Sequence, residues 1–307
     1  MHIKISVIIP TYNRPHKLKR AINSVLNQTF KDIEVIVVDD NNPNTQARKE
    51  TEKVMNEYYD NVQVKYIKHK YNMNGSAARN TGFKNSVGKY IMLLDDDDEF
   101  LPCKAEAQYN CLESKDEAWG ACYTKYKRLR NGKLDTVSAE TREGSLFYEE
   151  LCRNLFIQAG SNLMIRRNVF KELKGFNETF ERNQDIEFTV RLLKKYKIAY
   201  VDVMGLVYYR HHSYKRQFDM DKITKHYVST FKAHIEELSE QEKKVFYKMI
   251  NLQLFRYKLI SQRDIIGSYK MIKTKKVDIQ NAFSYFNHLF YRKIFKKSCG
   301  FNLDKIA

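Results

Sequence analysis

The chain has 307 residues, more than one usual domain and fewer than two generous ones, which predicts one large α/β domain with an appendage. Hydrophobic residues at 43%, charged residues at 30% and only 11 Gly with 4 Pro exclude long disordered or collagen-like stretches. The net charge is +17, and the residues from Asp221 onward carry 18 Lys and Arg against 8 Asp and Glu. Such a balance suits an anionic partner, whether nucleic acid, lipid headgroups or a phosphorylated acceptor.

In chain order, Ile5 to Ile9 and Ile33 to Val38 are nearly continuous β-branched runs, as expected of strands covered on both faces of a parallel sheet. Between them Leu18, Ala21, Ile22, Val25 and Leu26 fall at helical spacing, with Asn13 as the expected cap and Pro15 in the first turn. The pattern repeats with a strand near Val62 to Ile67, a helix near Ser76 to Asn85 and a strand Tyr90 to Leu94. That alternation predicts an open, doubly wound, mostly parallel Rossmann-like sheet that binds ligands at the carboxyl ends of its strands. Two strand ends carry carboxylates: Asp39-Asp40 and the run Asp95 to Asp98.

After Cys103 the pattern gives a helix, a strand near Ala118 to Tyr123 and a basic stretch, Lys125 to Arg142, expected to be irregular. A strand from Asn162 to Ile165 follows, then a short helix to Leu173, the turn Gly175-Phe176 and a helix from Gln184 to Lys195. From Asp221 the chain reads as helical, with Val245, Met249, Leu252, Phe255 and Leu259 stepping by three or four. Five scattered cysteines, with no metal or disulfide spacing, read as ordinary reduced thiols of a cytosolic protein. A signal-type segment is not expected at the N-terminus, nor a run of about 18 apolar residues that would cross a membrane.

Four adjacent carboxylates at the end of an apolar strand repel one another, and hard divalent ions such as Mg²⁺ or Mn²⁺ take such oxygen ligands and bridge them to phosphates. The other reading of that run is a solvated acidic turn.

Five motifs in order carry a resemblance: Val7-Ile8-Ile9-Pro10-Thr11-Tyr12-Asn13-Arg14, Ser24-Val25-Leu26-Asn27-Gln28-Thr29, Val38-Asp39-Asp40-Asn41, Ala78-Arg79-Asn80-Thr81-Gly82 and Leu94-Asp95-Asp96-Asp97-Asp98. Together they resemble glycosyltransferase family 2 over roughly residues 1 to 215. The resemblance implies the GT-A fold, a nucleotide-activated sugar donor and inversion at the anomeric carbon. It implies a catalytic domain over 1–215, with 1–103 binding the nucleotide and 104–215 the acceptor, and leaves 216–307 as a basic helical region.

By position, Pro10, Thr11, Tyr12 and Arg14 resemble the loop around the nucleoside, Asp40 the carboxylate that reads the base, and Arg79 the basic residue beside that pocket. The family's Asp-x-Asp falls on Asp95 and Asp97, which makes Asp97 the direct ligand of Mn²⁺ or Mg²⁺ and places Asp95 or Asp96 nearer the ribose. Asn183-Gln184-Asp185 is similar to the segment that starts a helix with Glu-Asp. Gln184 departs from it, while Asp185 stands where the general base does. Tyr208-Tyr209-Arg210-His211-His212 resembles a late Arg-x-His element, which points His212 at the metal or diphosphate, with His211 as the substitute.

These correspondences imply an inverting transferase that uses a UDP-sugar and extends a glycan or lipid-linked glycan in bacterial cell-surface polysaccharide synthesis. It would be cytoplasmic, or peripheral on the inner face of the plasma membrane. A sugar nucleotidyltransferase is disfavoured because the loop Thr11-Tyr12-Asn13-Arg14-Pro15 lacks glycine. A basic binding module is disfavoured because no nucleic-acid motif occurs and the strand ends are acidic. The tail interleaves Phe283, Tyr285, Phe286, Leu289, Phe290, Tyr291, Ile294 and Phe295 with Arg and Lys, which fits a helix on an anionic membrane and fits equally a domain or homodimer interface.

Overall fold

The computed structural model describes residues 3–210 and 218–307. The chain divides into two compact units, Met1–Phe147 with Phe156–His211, and Tyr148–Leu155 with His212–Ala307.

In the first unit, β1 (Ile5–Thr11) and β2 (Ile33–Asp39) are buried at every position. They pair in parallel, Ile5 opposite Ile33 through Thr11 opposite Asp39, so both end at one edge of the sheet. Helix α1 (Pro15–Leu26) joins them and buries Leu18, Ala21, Ile22 and Val25, each of which stabilises the fold by about 1–3 kcal/mol. Its entry differs from expectation. The N-cap residue is Arg14, with no side-chain cap, and Pro15 supplies the first-turn φ. Asn13 instead takes the left-handed conformation, φ 59°, and its backbone N–H donates to Asn41 Oδ1 at 2.8 Å. That contact ties the loop after β1 to the loop after β2.

Helix α2 (Gln46–Asn56), β3 (Val64–Lys68), α3 (Gly75–Lys84) and β4 (Tyr90–Leu93) complete the parallel half, with β3 beside β2 and β4 beside β1. Beyond it lie β5 (Glu99–Phe100), α4 (Lys104–Glu113), β6 (Trp119–Arg130), β7 (Lys133–Ser138), α6 (Ala159–Asn162), β8 (Met164–Arg166), α7 (Arg167–Glu172), α8 (Gln184–Lys195) and β9 (Lys197–Arg210), while α5 (Phe147–Leu151), apart from Phe147, belongs to the second unit. The strand order β7-β6-β8-β4-β1-β2-β3 places β8 antiparallel between β4 and β6, while β9 runs parallel to β6 and meets β5.

Residues 125–142, expected to be irregular, are largely sheet. β6 continues to Arg130 and turns into β7 through Asn131 (φ 50°) and Gly132 (φ 74°), the two positive φ values that a tight hairpin requires. The segment expected as a strand from Asn162 starts instead as the short helix α6, and β8 begins at Met164.

The second unit holds α9 (Met220–Thr230), α10 (Lys232–Glu236), α11 (Glu240–Arg256), a π-helical turn Tyr257–Gln262, α12 (Ile265–Lys273) and α13 (Ile279–Ile294). A capping box between Ser239 and Glu242 starts α11, which buries Val245, Met249, Leu252 and Phe255. Leu259, expected to continue that stripe, falls in the π turn and is exposed. The segment 148–155 is bound within this unit: Tyr227 Oη donates to Leu151 O at 2.9 Å, and Asn154 exchanges two 2.7 Å hydrogen bonds with the Phe301 backbone. Among the described residues no helix is long and apolar enough to cross a membrane, and the five cysteines are unpaired.

Candidate active site at the strand ends

The carboxyl ends of β1, β2 and β4 bring the sequence-selected residues together within the first unit. After β4 the chain leaves the strand and makes a tight turn over the Asp run, closed by the Asp98 N–H donating to the Asp95 carbonyl at 3.0 Å. The Asp95 and Asp97 side chains are 32% and 15% exposed, while Asp96 and Asp98 are buried. The turn thus separates the run into an outward pair and an inward pair.

The inward pair is structural. Asp96 accepts from Thr11 Oγ1 at 2.7 Å and pairs with Arg14 at 2.8 Å. Burial pushes its carboxyl up to about 7, against the pull of Arg14. Asp98 accepts from Ser161 Oγ at 2.6 Å and from the Tyr209 N–H at 3.1 Å. Burial raises its carboxyl well above the usual range, with Asp95 and Asp97 adding to the effect. Asp96, expected nearer a ribose, thus has its side chain buried against Arg14 and Thr11.

The outward pair is held from one side each. Asp97 Oδ2 pairs with Arg14 at 2.7 Å and lies 3.8 Å from Lys17, and the Asp97 carbonyl accepts from Arg20 at 2.6 Å. Arg20 in turn stacks over the Tyr209 ring at 3.7 Å. Burial works against the Arg14 charge, and the carboxylates of Asp96 and Asp97 more than offset it, so its pKa is raised. Asp95 Oδ1 pairs with Arg79 at 2.6 Å, and Asp95 N–H donates to Ser161 Oγ at 3.0 Å. Asp95 Oδ2 and Asp97 Oδ1 accept no hydrogen bond among the described residues.

Arg79 extends the arrangement to α8. Its second nitrogen donates to Gln184 Oε1 at 3.2 Å, and Gly75 passes so close that a Cβ there would lie 3.1 Å from Arg79 Nη1 and 3.2 Å from Gln184 Oε1. The neighbouring Asn80 exchanges hydrogen bonds with both backbone groups of Phe176, at 2.8 and 3.0 Å, and fixes the turn that leads into α8. Asn183, left-handed at φ 61°, then starts the helix and sets Asp185 in its first turn. A Cβ at Gly160 on α6 would lie 3.4 Å from Asp95 Oδ2 and 3.9 Å from Asp185 Oδ2, so both carboxylates face one bare patch of backbone. Burial raises the Asp185 carboxyl, and Arg79 partly counters it.

Asp40, expected at the nucleobase, is held by the protein's own donors. It is 2% exposed, and four protein donors converge on it: His69 Nδ1 at 2.7 Å, Asn72 Nδ2 at 2.8 Å, Met73 N at 2.7 Å and Asn74 N at 2.9 Å. Both oxygens are satisfied, so a base would reach it only by displacing one donor. What Asp40 does here is hold the loop before α3. Pro10 and Thr11 are buried in the sheet edge, and Tyr12 is half-buried on the loop. His212 and His211 lie outside the described residues.

Lys17, Arg20, Gly160 and Ser161 join the site without having been singled out, and Asn80, quoted within the Ala78 to Gly82 motif, had been given no role. Lys17 and Arg20 read as solvated charges on α1, and only their shared face with Arg14 could have signalled them. Gly160 and Ser161 lie in a stretch with no periodicity.

Residues 6–174 match the family described as glycosyl transferase family 2. An uncharacterized glycosyltransferase of Rickettsia bellii is 31% identical over 245 residues, 78% of this chain and 34% of that protein. The chain thus spans about a third of that relative. It spans 95% of an uncharacterized glycosyltransferase of Methanocaldococcus jannaschii, 28% identical over 286 residues, 90% of this chain. A GalNAc(5)-diNAcBac-PP-undecaprenol beta-1,3-glucosyltransferase of Campylobacter jejuni is 30% identical over 186 residues, 59% of this chain and 57% of that protein. S. aureus TarS in complex with UDP superposes with a TM-score of 0.62 at 19% identity, covering 85% of this chain and 74% of that one. A mannosyltransferase of Pyrobaculum calidifontis in complex with GDP-Man and Mn²⁺ gives a TM-score of 0.55 at 15% identity, covering 97% and 89%. The fold is GT-A.

Proposed function

Because this chain belongs to glycosyl transferase family 2, we propose that it transfers a sugar from a UDP-sugar, with inversion, to a hydroxyl of a growing glycan. The observation that carries this reading is the convergence of Asp185 and Asp95 on Gly160, with the Asp97 carboxylate on the same outward side of the run as Asp95. In-line displacement at an anomeric carbon needs a base on the acceptor side and charge neutralisation on the diphosphate side. Asp185 takes the acceptor proton, and its raised pKa makes it a stronger base than an ordinary carboxylate.

The donor set suits a hard divalent ion, since Asp95 and Asp97 each keep one carboxylate oxygen without a hydrogen bond among the described residues. No group of three or more candidate ligands occurs among those residues, so phosphate and water oxygens would complete the shell. Such an ion supplies Lewis-acid stabilisation of the departing diphosphate. Arg14, Lys17 and Arg20 add fixed positive charge beside it, and Arg79 orients Asp95. The acceptor proposal draws on the C. jejuni relative, whose name specifies an undecaprenol-linked glycan, and places this chain in cell-surface polysaccharide synthesis.

The test pairs two measurements. Titration with UDP, GDP, CDP and dTDP, each with Mn²⁺ and then with excess chelator, is expected to give metal-dependent binding of UDP, lost in Asp97→Asn. Asp185→Asn is expected to keep that binding while transfer falls by about 10²–10⁴. Full transfer by Asp185→Asn removes the base assignment, and tight binding of GDP in place of UDP reassigns the donor.

A further inference from the structure

Twelve of the eighteen large apolar side chains exposed among the described residues lie between Tyr247 and Phe295, all in the second unit. They are ordered. On α13, Ile279, Phe283, Phe290 and Ile294 follow helical spacing and are 55–68% exposed, while Ala282 and Tyr285 are buried within the fold. On α12, Ile265, Ile266 and Tyr269 share the face away from buried Ser268 and Met271 and are 63–75% exposed. Two successive helices thus each present an apolar stripe to solvent, beyond the scattered exposure that is ordinary for a folded surface.

The charge around these stripes selects the occupant. From Tyr257 to Lys297 the chain holds ten Lys and Arg and two Asp, with no Glu. Both aspartates are consumed as helix caps: Asp264 accepts from the Gly267 N–H and Asp278 from the Asn281 N–H. The two helices and their flanks therefore combine exposed aromatic and branched apolar groups with a large excess of positive charge, of which Lys258 is paired with Asp221. A second copy docking through the same face would bring two such cationic surfaces together in an unfavourable contact. An anionic bilayer offers both an apolar interior for the stripes and negative headgroups for the lysines.

We propose that α12 and α13 form a peripheral docking surface for an anionic lipid bilayer, lying in the plane of the headgroups. The test uses the full chain in co-sedimentation with vesicles of phosphatidylcholine alone and of phosphatidylcholine with about 30% phosphatidylglycerol. The expected result is binding to the anionic vesicles, weak or absent binding to the neutral ones, and release by high salt. The double variant Phe283→Ser, Phe290→Ser is expected to weaken that binding at least about tenfold with an unchanged thermal midpoint, because neither side chain packs in the core. Ile265→Ser with Ile266→Ser is the second probe. Absence of anionic-vesicle binding, equal binding to both vesicle types, or binding undiminished in folded variants overturns the proposal. A dimer in sedimentation velocity that the Phe283 and Phe290 changes abolish, without vesicle binding, assigns the face to a second copy. Nucleotide titration of the same variants separates this outcome from any failure of the catalytic assignment.

Discussion

At Gln184 a neutral amide meets the Arg79 guanidinium at 3.2 Å, leaving the full charge of Arg79 to Asp95 and Asp185. Replacing the amide by a carboxylate would add negative charge beside a base whose pKa burial already raises. Gln184→Glu is therefore expected to raise it further, moving the acidic limb of the kcat/KM–pH profile to higher pH, since the base must be unprotonated to act. An unmoved limb would mean that Asp185 does not set it. Lys104 presents the opposite case. It is fully buried among neutral oxygens, donating to Asn162 Oδ1 at 2.5 Å and Thr124 Oγ1 at 3.0 Å, and burial lowers its ammonium to about 7. Unfolded, the amine keeps its ordinary pKa of 10.5. Between those values the unfolded chain holds a proton that the folded chain has released, so stability rises with pH across that window, by at most about 5 kcal/mol. Lys104→Met is expected to flatten the difference between urea midpoints at about pH 7 and about pH 9. An undiminished difference assigns the slope to another group.

The elements of the parallel half were readable because each carries its own pattern: β1 and β2 are nearly continuous β-branched runs, and α1 keeps a strict stripe. The second half hid its structure. In β6 the inner positions to Thr124 are apolar or small, but the outer end alternates through Lys125, Lys127, Arg128 and Arg130. Charge there masks a period-two pattern, although Asn131-Gly132 is itself a hairpin signal. Gly132 at φ 74° carries that turn, and a Cβ would meet nothing within 4 Å. Gly132→Ala is therefore expected to cost about 1 kcal/mol from backbone strain alone, read as a lowered denaturant midpoint with unchanged m-value. The helix α6 was illegible for a different reason. Four residues are too few to show a period, and the importance of Gly160 comes from two carboxylates distant in sequence.

Across the whole molecule, the motifs located the reaction's candidate residues but not how they divide their labour. The Asp run could not reveal from sequence which members face inward, because that depends on the tight turn that Asp95 to Asp98 make after β4. Nor could Asp40 show that His69 and the 72–74 segment would occupy it. Sequence also gave no sign that residues 148–155 belong with the helical unit. Asn154 makes that placement testable: Asn154→Ala leaves the buried N–H and C=O of Phe301 unpaired and is expected to cost about 2–4 kcal/mol, seen as faster proteolysis of the second unit.

The same interrupted connection has a temporal side. Asn154 and Phe301 are 147 positions apart, and a ribosome adds roughly 5–20 residues per second. The segment 148–155 therefore leaves the tunnel several seconds before the chain that will cover it. During that interval Leu151 and Leu155 lack their final neighbours and are open to chaperones or to other nascent chains. The yield of folded protein should thus depend on the pace of translation between residues 155 and 301.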